Sequence, residues 1–261
     1  MRTARLPLRV LLPASLVMGV LLGLPTLVVV GRALNPSLLD AFLSPTVTEA
    51  LRLSLLTTGI SLGIMLLFGT PMAYLLARYR FPGYRLLDTL LDLPLVLPPT
   101  VAGVGLLLTF GRRGVVGRYL EGMGLELAFT TTAVVLAQLF VATPLFIRAL
   151  KVGFAGVSER LEASALTLGA SRLQVFWRVT LPLSLPYLIE GAVLAWARAL
   201  GEFGATIVFA GSFQGRTQTM PLAIYAALEQ DLDAALALSA LLAVTAFALL
   251  LAFRQVVYRE G

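Results

Sequence analysis

The chain has 261 residues, of which 58% are hydrophobic and only 13% are charged. A soluble globular domain carries about twice that share of charge, so this composition excludes a soluble protein and favours a membrane protein. The net charge of +6 does not indicate nucleic-acid binding, because the arginines separate apolar runs instead of forming one water-exposed basic face. Cysteine and histidine are absent, which excludes thiolate and imidazole metal sites.

Apolar runs long enough to cross a bilayer recur along the chain, since a spanning helix needs about 20 mostly apolar residues. Five runs between charged residues meet that length or nearly do so: 10–31, 53–77, 93–111, 127–147 and 234–253. A sixth stretch, from 181 to about 213, is long enough but contains charged residues. The first run follows three arginines, as the apolar core of a signal peptide does. It exceeds the usual 7 to 15 residues of such a core, so a retained span is predicted.

The basic residues predict the orientation, because cytoplasmic loops of membrane proteins are enriched in Lys and Arg. Six spans place thirteen basic residues on the side of the two termini: Arg2, Arg5, Arg9, Arg78, Arg80, Arg85, Arg148, Lys151, Arg160, Arg172, Arg178, Arg254 and Arg259. The opposite side has six: Arg32, Arg52, Arg112, Arg113, Arg118 and Arg216. Both termini are therefore predicted to be cytoplasmic.

Two predicted spans contain charged residues or prolines that are candidates for the translocation pathway or for a break between helices. Arg198 and Glu202 are four residues apart, so they can pair on one helix face. Two interpretations stay open: a pair that neutralises its charge while holding two helices together, or a direct part in gating or in the pathway. Pro94, Pro98 and Pro99 predict a break in the third span, where freed backbone groups would be available to a water-filled path.

The sequence contains no motif for nucleotide binding or catalysis. A phosphate-binding loop reads G-x-x-x-x-G-K-[ST] and needs a lysine. The only lysine of the chain, Lys151, lies in the sequence Ala-Leu-Lys-Val and not in such a loop. No catalytic residue and no enzymatic activity are therefore predicted, and any ATP hydrolysis would belong to another chain.

A mixed segment, residues 151–182, separates the fourth and fifth spans. Ser158 is predicted to cap a short helix, Gly169 to end it and Ser171 to begin a second helix. One apolar stripe is predicted at i, i+4 and i+7, formed by Leu161, Ala165 and Leu168. The pattern alone predicts a short helix that lies across the membrane face and ends in a sharp turn. The alternative is that this is an ordinary interfacial helix with no further role.

This segment resembles the cytoplasmic signature of permeases of ATP-binding-cassette importers, which reads Glu-Ala-Ala, three residues, Gly, nine residues, Ile-x-Leu-Pro. In this chain nine residues separate Gly169 from the segment 179–182, Val-Thr-Leu-Pro. Counting back, Ala163 stands where the family has glutamate, and Glu162 lies one step earlier. A shift of one residue rotates a helical side chain by about 100°, which leaves open whether Glu162 takes over the acidic contact.

A second block is similar to the molybdate branch of that family. It consists of a Gly-Glu-Phe-Gly core at 201–204 with flanks from Ala197 to Tyr225, together with residues 93–103 and 110–114. The resemblance extends over roughly residues 48–253. Sulfate permeases share the Gly-Glu-Phe-Gly core but usually diverge after it, so molybdate or tungstate is the expected substrate and sulfate the alternative.

The resemblance implies an all-α integral membrane fold of six transmembrane helices with a cytoplasmic coupling helix at about 158–171, as in type I importer permeases. It implies a homodimer in the inner membrane of a prokaryotic cell, docked on two ATPase subunits and served by an extracytoplasmic oxyanion-binding protein. ATP and Mg²⁺ would be bound by the ATPase, and no cofactor by this chain. Three parts are expected: 1–47 with the first helix, the transmembrane domain 48–254, and a cytoplasmic tail, 255–261.

Two sets of site residues are predicted from the resemblance together with the charged residues and prolines of the spans. The set expected to dock the ATPase comprises Glu159, Glu162, Ala163, Ser164, Ala165, Gly169, Ala170 and Ser171. The set assigned to the translocation pathway or gate comprises Pro98, Pro99, Thr100, Arg198, Glu202, Phe203, Gly204 and Thr206.

Alternatives remain for the whole chain and for one loop. A secondary transporter driven by an ion gradient and a structural or assembly subunit are the rival classes. Arg112, Arg113 and Arg118 lie on the outer side, against the positive-inside trend. They are expected either to attract an oxyanion or to pair with Glu121, Glu126 or an acidic patch on the binding protein.

Overall fold

The computed structural model describes residues 8–33 and 44–258, and all regular structure within them is helical. In chain order the helices are α1 (Leu8–Ala33), α2 (Pro45–Ile64), α3 (Thr70–Arg78), α4 (Tyr84–Val96), α5 (Pro99–Phe110), α6 (Gly117–Gly122), α7 (Thr131–Gly156), α8 (Glu159–Thr167), α9 (Arg172–Val175), α10 (Leu181–Leu183), α11 (Leu185–Leu200), α12 (Gly204–Phe209), α13 (Met220–Leu228) and α14 (Leu232–Tyr258). A π-helical turn joins α2 to α3 (Met65–Gly69), and another joins α9 to α10 (Phe176–Thr180).

The predicted six spans agree with the helices. Four continuous stretches of the described chain are long and apolar enough to cross a bilayer: Leu11–Arg32, Pro45–Arg78, Thr131–Gly156 and Leu232–Phe253. Two further pairs are bent. The axes of α4 and α5 meet at 118° next to the predicted proline break, and the Arg172–Leu183 segment meets α11 at 67°. Six spans result when each bent pair is taken as one.

Two helices extend beyond their predicted ends because their charged residues are paired. The third span is predicted to begin at residue 93, but α4 begins at Tyr84. Within α4, Asp88 accepts a hydrogen bond from Lys151 Nζ at 2.6 Å, and Asp92 binds the Arg148 guanidinium at 2.6 and 2.5 Å. The helix α7, which contains both cations, continues past its predicted end for the same reason.

The sequence predicts one span over 181–213, and the structure corrects this. The helix α11 ends at Leu200, and a separate short helix, α12, follows it. Gly201 closes the last turn of α11 by donating its N–H to Ala197 O at 3.2 Å. The Glu202 side chain, which belongs to the residue before the N-cap Phe203, then accepts the N–H of Ala205 at 2.7 Å. It therefore caps the first turn of a new helix instead of continuing the old one.

The core forms around α7, which packs against α2, α3 and α11. Its largest inward side chains, Phe146, Leu150 and Phe154, are fully buried. The helix α1 differs from α7, because none of its most apolar window is buried in the chain and it packs against α14. A helix apolar on all sides and exposed on most of them fits a bilayer as its solvent.

Candidate docking and translocation sites

The short helix α8 has a backbone-defined end. Gly169 adopts φ +90°, in the left-handed region that favours glycine. Its N–H donates to Leu166 O at 3.0 Å, and the next N–H, of Ala170, donates to Ala165 O at 3.1 Å. These two bonds form a Schellman motif. The prediction that Gly169 ends this helix is therefore confirmed.

Both predicted helix starts in this segment are found, with different caps. Ser158 has the extended backbone of an N-cap, but its side chain makes no capping bond. Ser171 forms a capping box with Gln174: its Oγ accepts the Gln174 N–H at 3.3 Å, and its own N–H donates to Gln174 Oε1 at 2.8 Å. The turn between α8 and α9 is thus held by hydrogen bonds within the segment.

Glu162 faces into its own chain. Its Oε1 accepts hydrogen bonds from Arg78 Nη2 at 2.8 Å and from Thr180 Oγ1 at 2.6 Å, and its side chain is 16% exposed. Arg78 also donates to Val157 O at 3.1 Å. One carboxylate therefore joins α8 to the end of α3 and to the π-helical turn before α10. Glu159, whose side chain is 89% exposed, lies 4.0 Å from Arg78 and is free to meet a partner.

The opposite face of α8 is open. Ala163, Ser164 and Ser171 of the docking set are exposed, and Ala165 and Ala170 are half-buried. The predicted apolar stripe does not pack into the chain, since Leu161 is 53% and Leu168 89% exposed. Exposed apolar side chains of the next elements extend this surface: Leu173 and Trp177. This face has the apolar character of a protein interface.

The two parts of the predicted gate set, residues 98–100 and 198–206, meet in the helix bundle. Pro98 is the N-cap and Pro99 the first residue of α5, so the break predicted there is found. A Cβ added to Gly204 would lie 2.7 Å from Pro99 Cβ, and one added to Gly103 would lie 2.8 Å from Ala205 O. The backbones of α5 and α12 are therefore in direct contact, and only glycine fits at these two points.

Arg198 and Glu202 form the predicted pair. Arg198 Nη1 lies 2.7 Å from Glu202 Oε2, and the Glu202 side chain is 1% exposed while that of Arg198 is 33% exposed. Because Glu202 also caps α12, the pair fixes the joint between α11 and α12. This geometry establishes the holding interaction, and a direct part in the pathway stays a prediction.

The remaining residues of the gate set differ in exposure. Pro98, Pro99 and Thr100 are exposed in the single chain. Phe203 is half-buried and packs against Tyr225 with ring centroids 5.1 Å apart. Thr206 is fully buried, and its hydroxyl has no hydrogen-bond partner among the described residues.

A family model described as "Binding-protein-dependent transport system inner membrane component" matches residues 65–259. The chain belongs to this family. ModB, a molybdenum transport system permease of Mycobacterium tuberculosis, is 48% identical over 92% of this permease and 91% of its own length. The Escherichia coli ModB is 47% identical over 69% of this chain and 80% of its own. The sulfate transport system permease CysW of Synechococcus elongatus is 42% identical over 70% of this chain and 64% of its own.

Solved structures show the same fold. A bacterial ABC transporter involved in the import of alginate, an acidic polysaccharide, covers 97% of this chain and 95% of its own with a TM-score of 0.73 at 19% identity. The MetNI methionine ABC transporter covers 82% and 96% with a TM-score of 0.66 at 18% identity. The predicted fold of an ABC-importer permease is confirmed.

Sequence reasoning missed a buried polar network in this permease. Four hydroxyl side chains of α2 are at most 1% exposed: Ser54, Thr57, Thr58 and Ser61. Gln138 of α7 bonds two of them, at 3.0 and 2.9 Å, and Trp196 Nε1 of α11 donates to a third at 3.2 Å. The signal was present as hydroxyls at i, i+3, i+4 and i+7, a spacing that places them on one face of the helix. Such bonds hold helices together in a bilayer.

The three arginines that are predicted to lie on the outer side are partly accounted for. Arg112 Nη2 lies 2.9 Å from Glu126 Oε2 with both side chains exposed, which matches the expected pairing within the loop. The Arg118 guanidinium stacks over the neighbouring Tyr119 ring at 4.7 Å. Among the residues that the structure describes, no cluster of three acidic, His or Cys side chains is suited to hold a metal ion.

Proposed function

We propose that this chain is the membrane-spanning subunit of an ATP-driven importer of molybdate or tungstate. The observation that carries the proposal is the similarity to molybdenum permeases: the Mycobacterium tuberculosis ModB is 48% identical over 92% of the chain, whereas the sulfate permease is 42% identical over 70% of it. The flanks of the Gly-Glu-Phe-Gly core, from Ala197 to Tyr225, resemble the same branch, whereas the core itself is shared with sulfate permeases. Sulfate is the second candidate substrate, since a sulfate permease is also a clear relative.

In the proposed assembly two copies of this chain form the pathway, and each docks α8 on one ATPase subunit. The open apolar face of α8 supports this docking. ATP and Mg²⁺ would be bound and hydrolysed on the ATPase. An extracytoplasmic binding protein would deliver the oxyanion to the outer face. The solved relative bound to an alginate-loaded periplasmic protein has this kind of external partner.

Electrostatics explains why an oxyanion importer needs an external source of energy. Moving one charge across a membrane costs roughly 2.3 kcal/mol per 100 mV. A dianion entering a cell that is negative inside is therefore opposed by about 4.6 kcal/mol per 100 mV, before any concentration gradient. Hydrolysis of ATP by the docked subunits would supply this work.

Glu162 gives the docking helix a mechanical connection to the spans. Through its hydrogen bonds, a movement of α8 would be transmitted to Arg78 at the end of α3 and to Thr180 next to α10. From α10 the connection continues through α11 to the Glu202 cap and to α12, whose backbone touches α5. Under this proposal Glu162 acts as an internal link, and the exposed residues of α8 make the contact with the ATPase.

The substrate test uses the permease, its ATPase and its binding protein reconstituted in lipid nanodiscs. ATP turnover is measured with the binding protein loaded with molybdate, tungstate or sulfate. We expect stimulation by the first two. Stimulation by sulfate alone would replace the substrate assignment. Uptake driven by an ion gradient without any ATPase would overturn the importer itself.

The orientation with both termini in the cytoplasm is also a proposal, and it rests on the distribution of basic residues. Single cysteines at Arg80 and Gln214 lie at opposite ends of the bundle. An impermeant maleimide on intact cells should label position 214 and not 80. The reverse pattern would overturn the orientation, and the natural absence of cysteine gives a clean background.

A further inference from the structure

A basic cleft lies at the turn between α3 and α4. It measures about 340 Å³ and is lined by Arg80, Phe81, Gly83, Tyr84, Arg85 and Leu86. Both arginines are exposed, and no carboxylate of the described chain lies within ion-pair distance of either. Two cations that share a concave surface without an internal counter-ion are complementary to an anion.

The cleft is held in shape by its aromatic residues. The Arg80 guanidinium lies over the Tyr84 ring at 4.3 Å, and its Nη1 donates to Leu76 O at 3.2 Å. The Tyr84 hydroxyl donates to the same carbonyl at 3.1 Å, and the Phe81 ring meets Tyr84 edge-on at 5.8 Å. Arg80 is therefore positioned before any ligand arrives, which lowers the entropic cost of binding.

A second, apolar groove lies further along α4. It measures about 370 Å³ and is bounded by α4, α5 and α7, with Leu90, Pro94, Phe110, Leu136 and Phe140 among its lining residues. Leu86 of the cleft and Leu90 of the groove are one helical turn apart, about 6 Å along the helix, and they are 65% and 50% exposed. An anionic head in the cleft can thus be followed by a hydrocarbon chain in the groove.

We propose that the cleft and groove together form a binding site for an anionic phospholipid, with its phosphate on Arg80 and Arg85 and an acyl chain in the groove. Basic pockets between membrane helices on the cytoplasmic side recognise such headgroups. The first turn of α4, which has no side-chain cap, adds the positive end of a helix dipole. Assignment to the inner leaflet rests on the orientation proposed above, whereas the binding itself does not.

The test uses the permease purified with its ATPase, delipidated and titrated with phosphatidylglycerol or with phosphatidylcholine of the same acyl chains. Native mass spectrometry counts the bound lipids. Each arginine beside an anionic headgroup contributes about a factor of five, so Arg80→Gln with Arg85→Gln should weaken phosphatidylglycerol binding about 25-fold. Arg52→Gln, at an exposed arginine near the other end of the α2–α3 span, should leave it unchanged.

Further variants separate a lipid from other ligands. Leu90→Gln should weaken both lipids, and millimolar inorganic phosphate should not displace phosphatidylglycerol. Arg80→Lys with Arg85→Lys should retain most of the preference, which controls for folding. Three results would overturn the proposal. The two lipids could bind equally, or the double glutamine variant could bind phosphatidylglycerol as the natural chain does. The third is displacement of phosphatidylglycerol by phosphate together with no effect of Leu90→Gln. The proposal would also be overturned if the double glutamine variant lost its ATPase subunits while its lipid binding was unchanged, since the two arginines would then bind the ATPase.

Discussion

Glu162→Ala should loosen the attachment of α8 to the spans. The substitution removes the bonds from Arg78 and Thr180. The Arg78 guanidinium, whose Nε already has no partner among the described residues, then keeps only the exposed Glu159 at 4.0 Å as a counter-ion. Hydrogen bonds to charged groups contribute about 1.5–3 kcal/mol each. Because the site lies at the edge of the bundle and remains slightly hydrated, we take the lower value and expect a total of about 3 kcal/mol. Opening of α8 should then increase on the order of 100-fold.

Hydrogen–deuterium exchange of the α8 amides in the permease without its ATPase measures this opening directly. Glu162→Gln keeps an acceptor for Thr180 and should give an intermediate rate. The matched control is Glu159→Ala on the same helix, since that carboxylate is 89% exposed and 4.0 Å from Arg78. Its exchange should stay within about threefold of the natural chain. If Glu162→Ala also stays within that range, the carboxylate does not hold α8 and the proposed mechanical link is wrong.

Three further substitutions have defined outcomes. Gly103→Ala should force α5 and α12 apart, because the new methyl group would lie 2.8 Å from the Ala205 carbonyl oxygen. The free energy of unfolding should fall by about 1–3 kcal/mol, and transport should fall with it. Gly169→Val should abolish transport while membrane insertion survives, since valine tolerates φ +90° poorly. Glu202→Leu should be more destabilising than Glu202→Gln by about 1–3 kcal/mol, because only glutamine still accepts the Ala205 N–H.

Each of these substitutions has a result that would contradict its prediction. Gly105→Ala on the same helix adds a methyl group with no atom of a neighbouring element within 4 Å, so its thermal unfolding should occur at or slightly above the temperature of the natural chain. A Gly103→Ala protein as stable as Gly105→Ala would contradict the close contact of α5 and α12. Uptake at the natural rate by Gly169→Val would remove the main support for the docking helix. Equal unfolding of the two Glu202 variants would mean that the cap contributes nothing.

The sequence predicted those features that depend on neighbouring residues. The proline break before α5 and the helix end at Gly169 are local, because they follow from a fixed φ in one case and a left-handed φ in the other. The start of α4 was not predictable in the same way. Its charges are neutralised by Arg148 and Lys151, which are more than fifty positions away in the chain. A rule that ends a predicted span at the first charged residue fails where that residue is paired with an opposite charge far away in the chain.

The candidate sites show the same limit. The Arg198–Glu202 pair was predictable from its spacing, but its role as a cap of α12 was not, because the helix break at Gly201 is not implied by the apolar run. Glu162 was placed in the docking set, with its acidic contact left open. Its actual partners, Arg78 and Thr180, are brought to it only by the packing of three elements. A sequence motif fixes the position of a residue on its helix, and the tertiary fold decides which neighbour it meets.

The capped turn around Gly169 has a consequence for recognition. Ordering one backbone residue costs about 1–2 kcal/mol, so folding the nine residues of α8 on contact would cost about 9–18 kcal/mol. That sum is as large as the whole binding free energy of a nanomolar complex. The Schellman motif, the Ser171 capping box and the Glu162 bonds fix the segment within this chain alone. A preformed helix of only two and a half turns can therefore bind a partner tightly, because the binding free energy does not have to order the helix first.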